Sequence, residues 1–452
     1  MKSGDVFRLT EDQRIDWLRL IRTDNVGPRT FKALINQFGG AGPAVRMLPE
    51  LSRRGGRARI NVPSRDEAEA ELATAAKLGV AYIAWGEPDY PKLLREIDDP
   101  PPLLAVRGET LKLNKPAIAI VGARNASAAG MRYAAQLARD FADAGFIVVS
   151  GLARGIDVAA HRASLQQGTI AVLAGGHARP YPPEHGELLT AIVESGVAVS
   201  EMPHAWEPRA RDFPRRNRLI SGLANAVVIV EAAERSGSLI TARFAGEQGR
   251  DVFAVPGSPS DPRAGGTNRL IKEGASIVTS AADVIEAIGP TLPHRPLPAR
   301  EPETVSPSRA ELPPEAVRDR VAGLLSPTPV ALDELIRQSQ ADASAVQIAL
   351  LELELAGKER PHGGGAGFLA SKGQAVSFGF SPAGCERSTA SSLASSSRYA
   401  SAPSLCARAI RTISAVMTEM YAATSSGPVS RPSEPFSVMV RLHKTCEADT
   451  NL

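Results

Sequence analysis

Cysteine is nearly absent: the chain has three in 452 residues, Cys385, Cys406 and Cys446, all beyond residue 380. The long body before them can hold neither a disulfide framework nor a thiolate metal site, which excludes zinc fingers and redox pairs there. No apolar run reaches the roughly 18 residues that span a bilayer. The opening MKSGDVFRLTEDQ lacks the basic and apolar regions of a signal peptide. The expectation is a cytoplasmic protein with no membrane partner. An excess of one charge is missing as well. The 52 Lys+Arg against 49 Asp+Glu leave a net charge of +3, so nucleic acid could be bound only through a local basic patch. What is there is a composition with 43% apolar and 22% charged residues, enough for a large core. At roughly 150 residues per domain, the length argues for about three domains.

Residues 11–57 read as short helices, with Ile15, Leu18, Leu20 and Ile21, then Phe31, Leu34, Ile35 and Phe38, at helical spacing. Within them Asn25-Val26-Gly27-Pro28 is a turn feeding a helix that stops at Gly39-Gly40, the outline of a helix-hairpin-helix. Such a turn can hold a phosphate on backbone N–H groups. A small packing or protein-interaction domain fits the same pattern equally well.

From Ala117 to about Ile288, short apolar runs alternate with helical stretches: AIAIVG (117–122), FIVVSG (146–151), TIAVLAGG (169–176), VAVSE (197–201), AVVIVEA (226–232) and DVFAVPG (251–257). Strands apolar nearly throughout belong in a parallel sheet buried on both faces. The fold class is therefore α/β, an extended Rossmann-like, doubly wound, mainly parallel sheet. It carries a small helical N-terminal domain of helix-hairpin-helix or SAM-like type and a winged-helix-like C-terminal domain. The division expected is 1–80 helical, 81–289 Rossmann-like, 290–314 proline-rich linker, 315–371 winged-helix-like and 372–452 a serine-rich tail, expected to be disordered. The third helix of the winged-helix pattern, ADASAVQIALLELELAG (341–357), carries Asp342, Glu352 and Glu354 and no Lys or Arg. It would be a poor guest in a major groove, so protein contact stands beside DNA reading as its role.

Four turns carry the candidate chemistry. After the first strand, Gly122 lets the backbone turn close to a ligand, Arg124 projects, and Ser127 can cap the next helix and offer its N–H groups to an anion. The dinucleotide fingerprint G-x-G-x-x-G is absent and no acid ends the second strand, so NAD is disfavoured and no cofactor or metal is expected. The second turn repeats the logic with Gly151, Arg154 and Gly155. The third is WEPRARDFPRRNRLISGLANA, where Arg209, Arg211, Arg215, Arg216 and Arg218 crowd around Phe213. Guanidinium groups pair with phosphates and an aromatic stacks on a base, the combination single-stranded nucleic acid favours. The bland alternative is a solvated loop or intramolecular ion pairs. The fourth turn brings Ser236, Gly237, Ser238 and Thr241 to the end of AVVIVEA. All four converge on the carboxyl edge of the sheet.

Several strings in this region resemble one family, the bacterial DNA-processing protein A, also called Smf. They are YPKLLREIDDPPPLLAVRG (90–108), GARNASAAG, SGLARGIDVAAH (150–161), LAGG followed by YPPEH, SEMP (200–203), FPRRNRLISGL (213–223), ERSGSLITA (234–242), VFAVPG (252–257) and GTNRLI (266–271). Ala123 departs from the family's usual Ser. The resemblance implies a non-enzymatic protein that binds and protects incoming single-stranded DNA in natural transformation. It also implies loading of the RecA recombinase, contact with single-strand-binding protein and a homodimer. The nucleic-acid-binding residues expected are Gly122, Arg124, Ser127, Gly151, Arg154, Phe213, Arg215, Asn217, Arg218, Ser236, Gly237, Ser238 and Thr241. The alternative is a nucleotide-binding enzyme like the lysine-decarboxylase-like phosphoribohydrolases, which carry P-G-G-x-G-T-x-x-E. Here PGSPSD (256–261) and GGTN (265–268) lack that Glu.

Overall fold

The computed structural model describes residues 7–57, 59–289, 313–325, 330–357, 359–362 and 366–369, the last two segments by backbone alone. Residues 290–312 of the expected linker and the whole tail from 372 lie outside the described residues.

A nine-stranded sheet organises the central part. In chain order its strands are β1 (Val80–Ala84), β2 (Leu103–Gly108), β3 (Ala117–Gly122), β4 (Ile147–Ser150), β5 (Thr169–Val172), β6 (Val197–Ser200), β7 (Ala226–Val230), β8 (Asp251–Ala254) and β9 (Ser276–Ile277). Their spatial order is β1-β2-β6-β5-β4-β3-β7-β8-β9, with antiparallel pairing only between β1 and β2 and between β2 and β6. The six apolar runs read from the sequence are the six central strands β3 to β8. The two antiparallel strands at one margin escaped that reading because their alternation is masked by a mixed environment. Val80, Tyr82 and Ala84 face the N-terminal helices, as do Leu103 and Ala105, whereas Ile83, Leu104 and Val106 enter the sheet core. Both sides being buried, period-2 polarity disappears from the sequence while period-2 packing survives.

The chain leaves β3 toward β4, β5 and β6 on one side and returns to β7 on the other, in register at Ile118↔Ala226 and Gly122↔Val230. The topological switch therefore lies between the carboxyl ends of β3 and β7, where an open α/β sheet leaves a crevice. Gly122 is required there by a close approach: a Cβ would stand 1.8 Å from the carbonyl oxygen of Val230.

The N-terminal helices Glu11–Arg22, Pro28–Phe38, Ala41–Arg54 and Arg65–Lys77 pack on the β1–β2 margin. The first opens with a capping box from Thr10 to Gln13. Asn25 adopts a left-handed φ of 60° in the hairpin turn, a conformation its short amide tolerates. Beyond the linker, helices Glu315–Leu324, Leu332–Ser339 and Ala343–Leu355 pack around Val321, Leu335, Val346 and Leu353. A small antiparallel sheet joins them, with β10 (Val330–Ala331), β11 (Glu359–His362) and β12 (Ala366–Leu369) in the order β10-β12-β11. This is the three-helix-and-wing arrangement the sequence suggests.

Candidate nucleic-acid interface

The crevice at the switch point is a cleft of about 880 Å3 whose walls come from the turns after β3, β4 and β7 and from helix Asp212–Gly222. Four arginines, Arg124, Arg216, Arg235 and Arg263, line it against one acid, Asp157. Of the expected site residues, Gly122, Arg124, Phe213, Asn217, Ser236, Gly237, Ser238 and Thr241 line this cleft. Gly151 and Arg154 line a small recess that opens beside it and shares Arg124 and Phe213. Ser127, Arg215 and Arg218 line neither.

Helix Asp212–Gly222 explains the split among its arginines. Phe213 faces the cleft, and one helical turn later Arg216 enters beneath the β4 loop and donates at 2.6 Å to the carbonyls of Gly151 and Val172. Gly151 is needed to admit it, because a Cβ there would lie 2.1 Å from the guanidinium. Burial brings the Arg216 pKa down to about 10, against the pull of Asp157. Asp157 accepts from the N–H groups of Gly151 and Ala153 and so braces the same loop. On the opposite face Arg218 is buried, paired with Glu201 and, at 3.5 Å, with Asp99. Arg215 also reaches Glu201, at 2.9 Å. Arg215 and Arg218, both expected among the nucleic-acid-binding residues, are thus engaged internally, sharing one buried carboxylate that the sequence pattern did not connect to them. Arg211 reaches Asp212 at 4.0 Å, and Arg209 lies 4.8 Å over the ring of Trp206.

Ser127 is likewise occupied. It caps helix Ala128–Asp143 through the N–H of Gly130, while its own N–H and hydroxyl donate to the carboxylate of Glu231. Glu231, held at a φ of 51°, places a carboxylate where the expected phosphate would sit. Arg154 makes an exposed pair with Glu184 at 2.5 Å.

Of the four cleft arginines, Arg216 is held by the two carbonyls and Arg263 pairs with Asp261, whereas Arg124 and Arg235 make neither an ion pair nor a side-chain hydrogen bond among the described residues. Arg124 lies over Phe213, 5.1 Å from the ring centroid, and Phe213 meets Tyr181 edge-on at 5.2 Å. Tyr181, 48% exposed, extends an aromatic platform toward solvent. The sequence reading quoted its string, YPPEH, without assigning it this position. The opposite wall is polar: Asn217 donates to the carbonyl of Gly237 at 3.2 Å, and the hydroxyls of Ser236 and Ser238 are 2.7 Å apart. One wall thus offers stacking and cationic groups, the other hydroxyl and amide groups, as an extended chain of bases and phosphates requires.

Comparison with known proteins agrees with this architecture. A family model described as DNA recombination-mediator protein A matches residues 81–289. A DprA-like N-terminal HHH domain model matches 11–74, and a DprA winged helix domain model matches 305–365. The DNA processing protein DprA of Bacillus subtilis (strain 168) is 42% identical over 234 residues, covering 51% of this chain and 77% of that protein. Protein Smf of Escherichia coli (strain K12) is 41% identical over 273 residues, covering 59% and 72%. The X-ray structure of DprA from Streptococcus pneumoniae aligns at 34% identity with a TM-score of 0.47, covering 57% of this chain and 95% of that one.

Proposed function

Because the chain belongs to the DNA processing protein A family, DprA or Smf, we propose that it is a non-enzymatic recombination mediator that holds single-stranded DNA in the cleft between β3 and β7. The observation that carries this reading is the gathering of Arg124, Phe213 and Tyr181 into one cationic and aromatic cluster beside a cleft lined by four arginines and one acid. An unpaired base can pack on an exposed ring of that cluster, with Arg124 and Arg235 as the partners of the neighbouring phosphates. Duplex bases, already stacked on one another, cannot use the platform. The one carboxylate in the lining, Asp157, is tied to two backbone N–H groups, which favours a binding role over general-base chemistry.

The reading extends to a cytoplasmic homodimer that delivers the strand to the RecA recombinase in the presence of single-strand-binding protein during transformation. In support of a location away from the bilayer, no described helix is long and apolar enough to cross a membrane. The test is a titration of labelled single-stranded and duplex oligonucleotides over a salt series. Single strands should bind more tightly, with affinity falling steeply with salt and little sequence preference. Equal affinity for the two forms, or a flat salt response, overturns the proposal.

A further inference from the structure

The third helix of the winged-helix domain, Ala343–Leu355, buries two faces. Val346, Ala349 and Leu353 complete the core of their own domain. Ile348, Leu351 and Leu355, offset by two positions along the same helix, complete the core of the N-terminal helical domain instead. A helix that reads a major groove must leave one face to water; this one leaves only Ala343, Ser344 and Gln347 exposed near its start, and its second half is packed from both sides. Its acidic residues, conspicuous in the sequence, supply the polar part of the contact. Glu352, fully buried, meets Arg54 at 2.9 Å. Glu354 accepts from the hydroxyl of Thr30 at 2.6 Å, and Asn25 donates its side-chain amide to the carbonyl of Leu355 at 3.1 Å.

The place of that contact matters. Asn25 belongs to the hairpin turn and Thr30 to the first turn of helix Pro28–Phe38, where N–H groups lack intrahelical partners and the helix dipole favours an anion. The Glu354 carboxylate already stands there, in contact with Thr30 and in the field of Arg29, and its pKa is raised by the burial it undergoes. We propose that the winged-helix domain is an internal cover of the hairpin turn. Glu354 takes the position of a nucleic-acid phosphate, and the N-terminal domain accepts a double-stranded backbone only when helix Ala343–Leu355 undocks.

Gly55 supplies a wedge with which to test this. Its φ of −64° is an ordinary helical value, so a side chain costs the N-terminal domain nothing in backbone strain. A Cβ there would stand 2.0 Å from the carbonyl oxygen of Glu352 and 2.9 Å from Cβ of Ala356, both on the docked domain. Gly55→Leu in the full chain should therefore push that domain away. A protease site placed between Gly289 and Pro313 reads docking: after cleavage the wild-type fragments should co-elute and the Gly55→Leu fragments should separate. On a background of Arg124→Ala and Arg235→Ala, which weakens the cleft, Gly55→Leu should raise affinity for a short duplex by about tenfold, the order of one charge-assisted hydrogen bond. Arg29→Ala with Lys32→Ala should remove the gain.

Arg54→Glu provides a second route to the open form should Gly55→Leu fail to fold, and the double exchange Arg54→Glu/Glu352→Arg should restore co-elution. Separation of the cleaved wild-type fragments, or undocking without any rise in duplex affinity, overturns the proposal. Neither result bears on the cleft, whose single-strand affinity is measured on the unaltered chain.

Discussion

The guanidinium of Arg218 and the carboxylate of Glu201 are in contact with each other, each 4% exposed, on the face of helix Asp212–Gly222 turned away from the cleft that Phe213 faces. One helix thus presents Phe213 and Asn217 to the cleft on one side and a buried ion pair on the other, and the consequences of mutating its side chains should divide accordingly. Arg218→Ala leaves the Glu201 carboxylate, among the described residues, with the half-exposed Arg215 as its one ion-pair partner. Loss of one member of a buried pair costs about 3 kcal/mol or more. The expected outcome is a clear fall in the urea midpoint, with single-strand affinity retained by the fraction that stays folded.

Arg124→Ala and Arg235→Ala should do the reverse. Neither guanidinium supports the core, so the thermal midpoint should hold within about a degree or two, the shift set by a surface change of a few tenths of a kcal/mol. Single-strand affinity should drop for both, with a shallower dependence on salt because fewer counterions are released. Filter binding at several salt concentrations measures both quantities; an unchanged slope would assign the arginines to something other than phosphates.

Phe213→Ala and Tyr181→Ala test stacking separately from charge. Each should weaken single-strand binding by about 1–3 kcal/mol, the usual worth of one base–aromatic contact, without altering the salt slope. Phe213→Tyr should retain most of the affinity. Duplex binding should scarcely respond to any of the three, so the preference for single strands should shrink in the alanine variants.

Two buried histidines give a stability signature in acid. Burial holds the pKa of His161 down to about 3, with Arg216 adding to the effect, and that of His177 down to about 4. Unfolding returns both to the ordinary value near 6.5. The unfolded chain then binds more protons than the folded one below that value, so stability is full above pH 6.5 and declines as the pH falls toward 4. His161→Gln should flatten the decline by about one proton's worth between those limits, which urea melts at pH 4.5, 5.5 and 7 can resolve. An identical slope in the variant would mean that His161 is charged in the fold.

Much of this molecule was legible in the residues. The six central strands announce themselves because strands buried on both faces are apolar throughout, whereas the switch point between β3 and β7 depends on their spatial order, which the chain order does not give. The turns that build the cleft were legible through their glycines, although Gly122 and Gly151 answer to the close approach of Val230 and Arg216 rather than to a ligand. Internal neutralisation was hidden. Five arginines around Phe213 look like one basic patch, but Glu201 comes from the end of β6 and Glu231 from the end of β7, and only the closed sheet brings them to Arg215, Arg218 and Ser127. The acidic winged-helix residues stood out in the sequence, with protein contact and DNA reading both open for them; that they seat on Arg54 and Thr30, some 300 positions earlier, is long-range information no local pattern carries.

The order of the strands also sets a timetable for the molecule's synthesis. β3 is flanked by β4 on one side and β7 on the other, yet β7 begins more than 100 residues after β3 begins. While the chain emerges, β3 to β6 can assemble, but the far edge of β3 stays bare and apolar until Ala226–Val230 arrives. Arg124, Phe213 and Arg235 therefore meet late, after about half the chain has been made. The cleft thus has no complete lining until the sheet is nearly finished, and a fragment ending before β7 would lack the cleft and expose a sticky edge.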